Sequence, residues 1–242
     1  MKKNYNHLIL LACAITLHMV SLPACAQVIV QDNILSFGPN DKPMRTIPIA
    51  NTSKTDTLNV TATVFEMDYN NGNALTKTTD IMVVPPHMRL VPGHKALARV
   101  IIKKRPEDGN GENSNEKAYR IRFTPSLAKN TPELPTQSAV TSEVKVLVGT
   151  GILMWVTPKD AKVKYKTTWN NDGLLVENTG NTNLIFRQEK QCIEGVNCQI
   201  EGIRLWPGKT WQLNVPKNLR DKPLKLEMRA LDDIKIVEVA PQ

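Results

Sequence analysis

Aromatic side chains are scarce in this chain, at 5% of 242 residues, and histidine and cysteine occur four times each. With so few rings, and with charge spread along the chain, no stacking surface for nucleic acid is expected. Beyond the N-terminal segment no apolar run is long enough to span a bilayer. No stretch shows a helical period. No Ser or Cys sits in an elbow-type nucleophile motif. No acidic cluster suggests calcium or a paired-carboxylate hydrolase. Gly149-Thr150-Gly151 lies inside a strand pattern and opens no helix, so it is no phosphate loop. His87 and His94 fall in or beside a proline-rich turn and read as solvated residues. These absences argue against an enzyme, and no metal or other cofactor is expected.

What is present begins with a leader. Lys2 and Lys3 give a basic start, Leu8 to Val20 is mostly apolar, and Ala24-Cys25-Ala26 is a small-residue cleavage site. Residues 1–26 therefore read as a secretory signal peptide cleaved after Ala26. A rival reading takes Leu22-Pro23-Ala24-Cys25 as a lipidation site, which Pro23 fits poorly. Removing Lys2 and Lys3 from 31 Lys and Arg leaves 29 against 23 Asp and Glu, a net of +6. Cys13 and Cys25 fall in the leader, so Cys192 and Cys198 remain. In an exported chain, with five residues between them, they are expected to be joined. Closing so short a loop stabilises by roughly 2 kcal/mol on the chain-entropy account. A metal site is the alternative, and two thiols without a nearby histidine make a poor one.

Past the leader the pattern is short strands and turns. Val28 to Phe37, Arg45 to Ala50, Thr57 to Phe65, Leu97 to Ile102 and Ala118 to Phe123 read as strands. Pro48 places the second of them at an edge or a bulge. The prolines at 85 and 86 break pairing, and Pro92-Gly93 signals a turn. Arg105 to Glu116 reads as a solvated polar loop, and Thr124 to Ser138 as a long connection. Tyr119, Ile121 and Phe123 share one strand face, and Arg120 and Arg122 the other.

From Ala139 to Pro158 the apolar positions Val140, Val144, Val146 and Val148 alternate with Glu143 and Lys145, Ser142 completing the row, and Ile152 to Val156 is continuously apolar. Alternation with β-branched residues predicts a strand over 140–157, two-faced at first and then buried on both sides. After Pro158 short strands restart. The expectation is an all-β chain of two immunoglobulin-like sandwiches, residues 27–157 and 158–242, with Pro158-Lys159 as the hinge.

Val83-Val84-Pro85-Pro86-x-x-Arg89-Leu90-x-Pro92-Gly93, followed by Arg99-Val100, closely resembles the signature of the periplasmic chaperones of the chaperone–usher pilus pathway. Tyr119-Arg120-Ile121 resembles their penultimate strand of the first domain, and Val140 to Pro158 the last. Leu174-x-x-x-Asn178-Thr179-Gly180-Asn181, the Cys192 and Cys198 pair and Trp206-Pro207-Gly208-Lys209 resemble the second domain. The likeness spans essentially all of the chain past the leader. The cysteine pair and the Tyr-Arg-Ile motif look most like the branch serving common-pilus or thin fibrillar fimbriae.

The resemblance implies a boomerang of two sandwiches in the periplasm. It implies that Val140, Val144, Val146 and Val148 form a donor strand, lent to the open groove of a pilus subunit by β-augmentation. An outer-membrane usher would receive the subunit, and a self-capped pair of free chaperones is the other association the resemblance allows. The family's better-known members anchor the subunit's C-terminal carboxylate with a first-strand arginine and a lysine five residues before the proline ending the last strand. Here the latter position is Leu153 and the first strand holds no basic residue. Arg120 is the best replacement anchor and Arg122 the second. Pro85, Pro86, Arg89, Leu90, Pro92, Gly93 and Arg99 are given structural roles, the arginines pinning strands and turns by hydrogen bonds. The competing reading is a fibre component, a pilin-like or adhesin-like exported sandwich. That class would carry an alternating extension just after the leader, where Gln27-Val28-Ile29-Val30 instead runs straight into the first strand.

Overall fold

The computed structural model describes residues 27–108, 114–128, 146–186, 192–193, 202–231 and 233–242, with the backbone alone at 192–193 and 219. The leader 1–26, Val140, Val144, Cys198 and the side chain of Cys192 lie outside the described residues. The chain is all-β, and two immunoglobulin-like sandwiches follow one another along it.

The first sandwich contains β1 (Val28–Val30), β2 (Ile34–Phe37), β3 (Met44–Asn51), β4 (Leu58–Asp68), β5 (Ala74–Lys77), β6 (Ile81–Val84), β7 (His87–Leu90), β8 (Lys95–Ile102), β9 (Lys117–Leu127) and β10 (Thr150–Val156). One sheet runs β1-β3-β8-β6. The other runs β2-β10-β9-β4-β5, with β7 also on β4. Strict alternation turns Ile47 and Ile49 of β3, Ala98 and Val100 of β8, and Tyr119, Ile121 and Phe123 of β9 into one core.

Three expectations need correction here. Val28 to Phe37 is not one strand: β1 pairs antiparallel with β3, whereas β2 pairs parallel with β10 in the opposite sheet. The polar Gln31-Asp32-Asn33 carries the chain across between the sheets. The strand predicted over 140–157 begins at Thr150 among the described residues, and Val146 to Gly149 precede it. The ladder pairs Thr150 with Phe123, so its next steps would set Val148 against Pro125, which has no N–H to give. The core-facing parity also changes there. Leu147 packs against the core, and after Gly149-Thr150-Gly151 the inward positions are Ile152, Met154 and Val156. Finally, the segment from Arg105 to Glu116 is not solvated at its ends. Arg105 donates to the carbonyls of Gly38, Asp41 and Thr157, and Glu116 is fully buried.

Pro48 sits where β1 has already ended, opposite Leu97 of β8 on its other side, so its missing N–H costs no ladder bond. The Pro85-Pro86 pair separates β6, which belongs to the first sheet, from β7, which belongs to the second. The Pro86 carbonyl accepts from Ala62 of β4, and Gly93 takes φ 70° in the turn after Leu90, itself in the core. Arg89 and Arg99 are exposed, and among the described residues neither guanidinium makes a hydrogen bond. The pinning expected of them is therefore absent there. Both lie on outward strand positions, where a long cation reaches solvent rather than a turn carbonyl.

The second sandwich contains β11 (Tyr165–Asn170), β12 (Gly173–Asn178), β13 (Leu184–Phe186), β14 (Cys192–Ile193), β15 (Ile203–Leu205), β16 (Thr210–Asn214), β17 (Leu224–Ala230) and β18 (Asp233–Val239). Its sheets run β11-β12-β16 and β14-β17-β13-β15, with β18 also on β17. Leu174, Val176, Leu184, Phe186, Leu226 and Met228 form a separate core. Asn178, the last residue of β12, is buried. Its side chain donates to the carbonyls of Thr182 and Leu205 and accepts from Gly180.

Candidate functional site

At the start of β10 three features meet. Val146 and Val148 stand 71% and 37% exposed, while Leu147 between them turns onto the core. Beside them Arg120 and Arg122 project from the outward face of β9 into a pocket of about 430 Å³. Its floor is backbone. A Cβ at Gly149 would meet the Phe123 carbonyl at 2.8 Å, and one at Gly151 the Ile121 carbonyl at 3.1 Å. The glycines thus let β10 lie close against β9 and leave the space above it clear. Asn33 and Leu153 close the pocket's far side.

The two arginines carry the same charge two positions apart, and among the described residues neither has a carboxylate partner. The Arg122 guanidinium lies 4.9 Å from the Phe65 ring centroid, which fixes it over β4. Arg120 makes no ring contact and is the freer of the two. A guanidinium can grip a carboxylate with two parallel hydrogen bonds, so two unneutralised ones beside exposed backbone are chemically suited to an anion. Arg120, Arg122, Val146 and Val148 are thus brought to one end of one sheet. Tyr119 points the other way into the core, where burial pushes its phenol far above the usual tyrosine range.

The joint between the sandwiches was not visible in the sequence. Glu116 is 0% exposed. Its Oε2 accepts from Thr182 Oγ1 at 2.5 Å and from the Asn183 N–H at 2.9 Å, and its Oε1 accepts from Asn183 Nδ2. Arg204 donates to Asn183 Oδ1 at 2.8 Å and lies 3.8 Å over the Trp155 ring. Burial lowers the Arg204 pKa from its ordinary value, Glu116 opposes that and Arg229 adds to it. Tyr69 stacks on Trp206 at 4.7 Å and donates to the Glu116 carbonyl. One carboxylate and three rings from two sandwiches therefore close over each other. Glu116 gave no signal because it ends a Gly/Asn-rich run, and its partners lie 66 and 67 residues on.

Burial, together with the charges of Glu116 and Asp68, pushes the Tyr69 phenol up to about 12 from 10.0. The folded chain then holds a proton that the unfolded chain releases near 10. Stability contributed by this group is complete below pH 10 and is lost as pH rises towards 12. Tyr69→Phe should flatten the fall in melting temperature between pH 9 and 12 relative to the unsubstituted protein. An identical slope in both proteins would show that Tyr69 is not held neutral by the joint.

Among solved structures the chain is similar to a chaperone–tip adhesin complex of CFA/I fimbriae, at 14% identity and a TM-score of 0.60, covering 90% of this chain and 100% of that one. It is similar to the class 5 fimbriae chaperone CfaA, at 14% identity and a TM-score of 0.58, covering 89% and 100%. It is also similar to the Salmonella enterica SafA pilin in complex with the SafB chaperone, at 14% identity and a TM-score of 0.53, covering 90% and 98%. At these identities the likeness is one of fold. No curated protein sequence matches the chain. Residues 34–162, more than half of the 242, match the model of the PapD N-terminal domain of pili and flagellar-assembly chaperones, and the chain belongs to that family.

Proposed function

We propose that this pilus-assembly chaperone works in the periplasm, capturing a fimbrial subunit along the segment that leads into β10 and passing it to an outer-membrane usher. The observation that carries this is the outward pair Val146 and Val148, directly ahead of a pocket holding Arg120 and Arg122. Val140 and Val144 extend the same row in sequence. An extended subunit segment hydrogen-bonds along 140–148, seats apolar side chains against the valines, and ends with its carboxylate at the arginines. Nine residues of extended chain span about 30 Å at 3.3 Å each, enough for a full edge strand. SafB, of the same fold, is found with a pilin. The division between the two sandwiches is placed at Thr157-Pro158, and Cys192 and Cys198 are proposed to form a disulfide. The role asks for no cofactor and no catalytic step.

The test is co-expression with the small exported β-proteins of the gene neighbourhood, read by native mass spectrometry. A one-to-one complex supports the reading. A chaperone that stays alone, or that polymerises with itself, overturns it in favour of a fibre component. In the same assay Arg120→Ala should weaken capture roughly ten- to hundredfold, since a hydrogen bond to a charged group is worth about 1.5–3 kcal/mol. Its melting temperature should not change, because the side chain is exposed. Early melting with normal capture would make Arg120 structural and place the anchor elsewhere.

A further inference from the structure

On the side away from β9, β4 changes partner partway along its length. β7 pairs with it as far as Thr61, and β5 begins opposite Phe65. Ala62, Thr63 and Val64 therefore face no strand there among the described residues. The gap arises because the chain leaves the second sheet after β5, runs as β6 at the edge of the first sheet and returns as β7. Two backbone hydrogen bonds bracket it, from the Ala62 N–H to the Pro86 carbonyl and from the Thr78 N–H to the Val64 carbonyl. A slot of about 500 Å³ opens between the sheets at this point. Val64, Ile81 and Val83 of the first core line it, with Ala62 packed against that core. Its charge is confined to one end. Lys77 precedes the Thr78-Thr79 crossing into β6, and Lys103 follows β8, its N–H held by the Asp80 carbonyl. Both lysines are exposed, and no carboxylate lines the slot. Among the described residues neither lysine makes an ion pair.

We propose that this slot is a small-molecule site for a single-chain anionic amphiphile of the fatty-acid class, its alkyl chain lying between β4 and β6 and its carboxylate held by Lys77 and Lys103. Small-molecule sites are commonly apolar clefts of about 300–1,000 Å³ with a few polar groups that fix orientation. Here the apolar wall is core surface that the gap in the sheet leaves uncovered, so an alkyl chain gains by displacing water from it. The cations at one end set the direction in which the molecule enters. A lysine is a compact charge on a flexible stem, which suits a single small head group. The open stretch of β4 is three residues, about 10 Å at 3.3 Å each, and the two crossings of the chain close its ends. That length admits one chain rather than the paired chains of a phospholipid. Against a strand lent by another protein stand the four residues of β6 and the Pro85-Pro86 that follows, which leave no edge long enough to pair. Against a second copy of this chain stand the two unneutralised lysines, which self-association would bring together. The site lies across β4 from β9, the strand that carries Arg120 and Arg122, so filling it leaves the capture segment open.

The experiment titrates the exported chain with decanoate, kept below its micelle concentration, by isothermal calorimetry at low and high salt. One molecule should bind per chain. Affinity should rise about tenfold for each two methylenes added between octanoate and dodecanoate. Decanol, with the same chain and no charge, should bind at least tenfold more weakly, and decyltrimethylammonium should not bind. The double variant Lys77→Glu/Lys103→Glu should lose at least tenfold in affinity for decanoate at an unchanged melting temperature, because both side chains are exposed. Ala62→Phe fills the slot and should abolish binding with both lysines in place. If that variant does not fold, the charge variant and the head-group series decide. The proposal is overturned if decanoate does not saturate, or if the charge variant binds it normally. Equal binding of the decyl cation overturns it as well, since that is adsorption to any apolar surface. A dimer in sedimentation that Ala62→Phe converts to monomer would identify a second copy as the occupant. Flotation with phosphatidylglycerol vesicles, lost in the charge variant, would identify a membrane surface. Either result overturns the proposal.

Discussion

Val146→Asp is expected to abolish subunit capture while leaving the chaperone folded. Val146 is 71% exposed in the free protein, so a carboxylate there stays in water and costs the fold nothing. In the proposed complex the same position is sealed against apolar groups of the subunit. The substitution then forfeits the burial of one valine, up to about 1.5–3 kcal/mol. It also asks for an unpaired charge to be desolvated, which costs several kcal/mol more. A combined penalty of about 4 kcal/mol is close to a thousandfold in affinity. The check is the fraction of subunit recovered in one-to-one complex, beside a thermal melt of the variant alone. Val148→Asp should act in the same direction but less, because Val148 is half as exposed and buries correspondingly less new surface on binding. Undiminished capture by Val146→Asp, with normal melting, would remove the donor strand from this segment.

The features that could be read from sequence were those written in local alternation. Tyr119, Ile121 and Phe123 against Arg120 and Arg122 is a period of two, and the structure turns the first three inward and leaves the arginines outward. The outward set of Val146 and Val148 follows from the same rule. Alternation does not say where a ladder stops. That depends on Pro125 and on the close approach of Gly149 to Phe123 across the sheet, so the observed β10 begins later than its apolar pattern. Nor does it reveal which sheet a strand joins. Val28 to Phe37 looks like one strand, and only long-range pairing with β3 and β10 divides it. The joint was least legible. Glu116, Asn183 and Arg204 are each ordinary surface residue types, and their meaning comes from being closed over one another.

That joint sets the second large expectation. Glu116→Ala should lower the stability of the whole chain by about 3–5 kcal/mol and break its unfolding into two steps. Removing the carboxylate strands Thr182 Oγ1, the Asn183 N–H and Asn183 Nδ2 as buried donors without an acceptor. Each such group costs about 1–3 kcal/mol. It also removes the nearby negative charge that offsets the burial of Arg204. Glu116→Gln keeps the volume but turns one acceptor into a donor, so it should fall between. With the tie gone, Tyr69 on Trp206 and Arg204 over Trp155 are left to hold the sandwiches, and stacked pairs of this kind contribute about 0.5–2 kcal/mol each. Trp155 and Trp206 report on the joint, whereas Trp169 and Trp211 pack on the second core. Urea unfolding followed by tryptophan fluorescence and by far-ultraviolet circular dichroism should therefore coincide in the unsubstituted protein and separate in Glu116→Ala. The opening of the joint would come first and the collapse of the two cores later, each core being a complete sandwich. Coincident transitions at an unchanged midpoint would mean that Glu116 is a passenger and that the rings alone couple the domains.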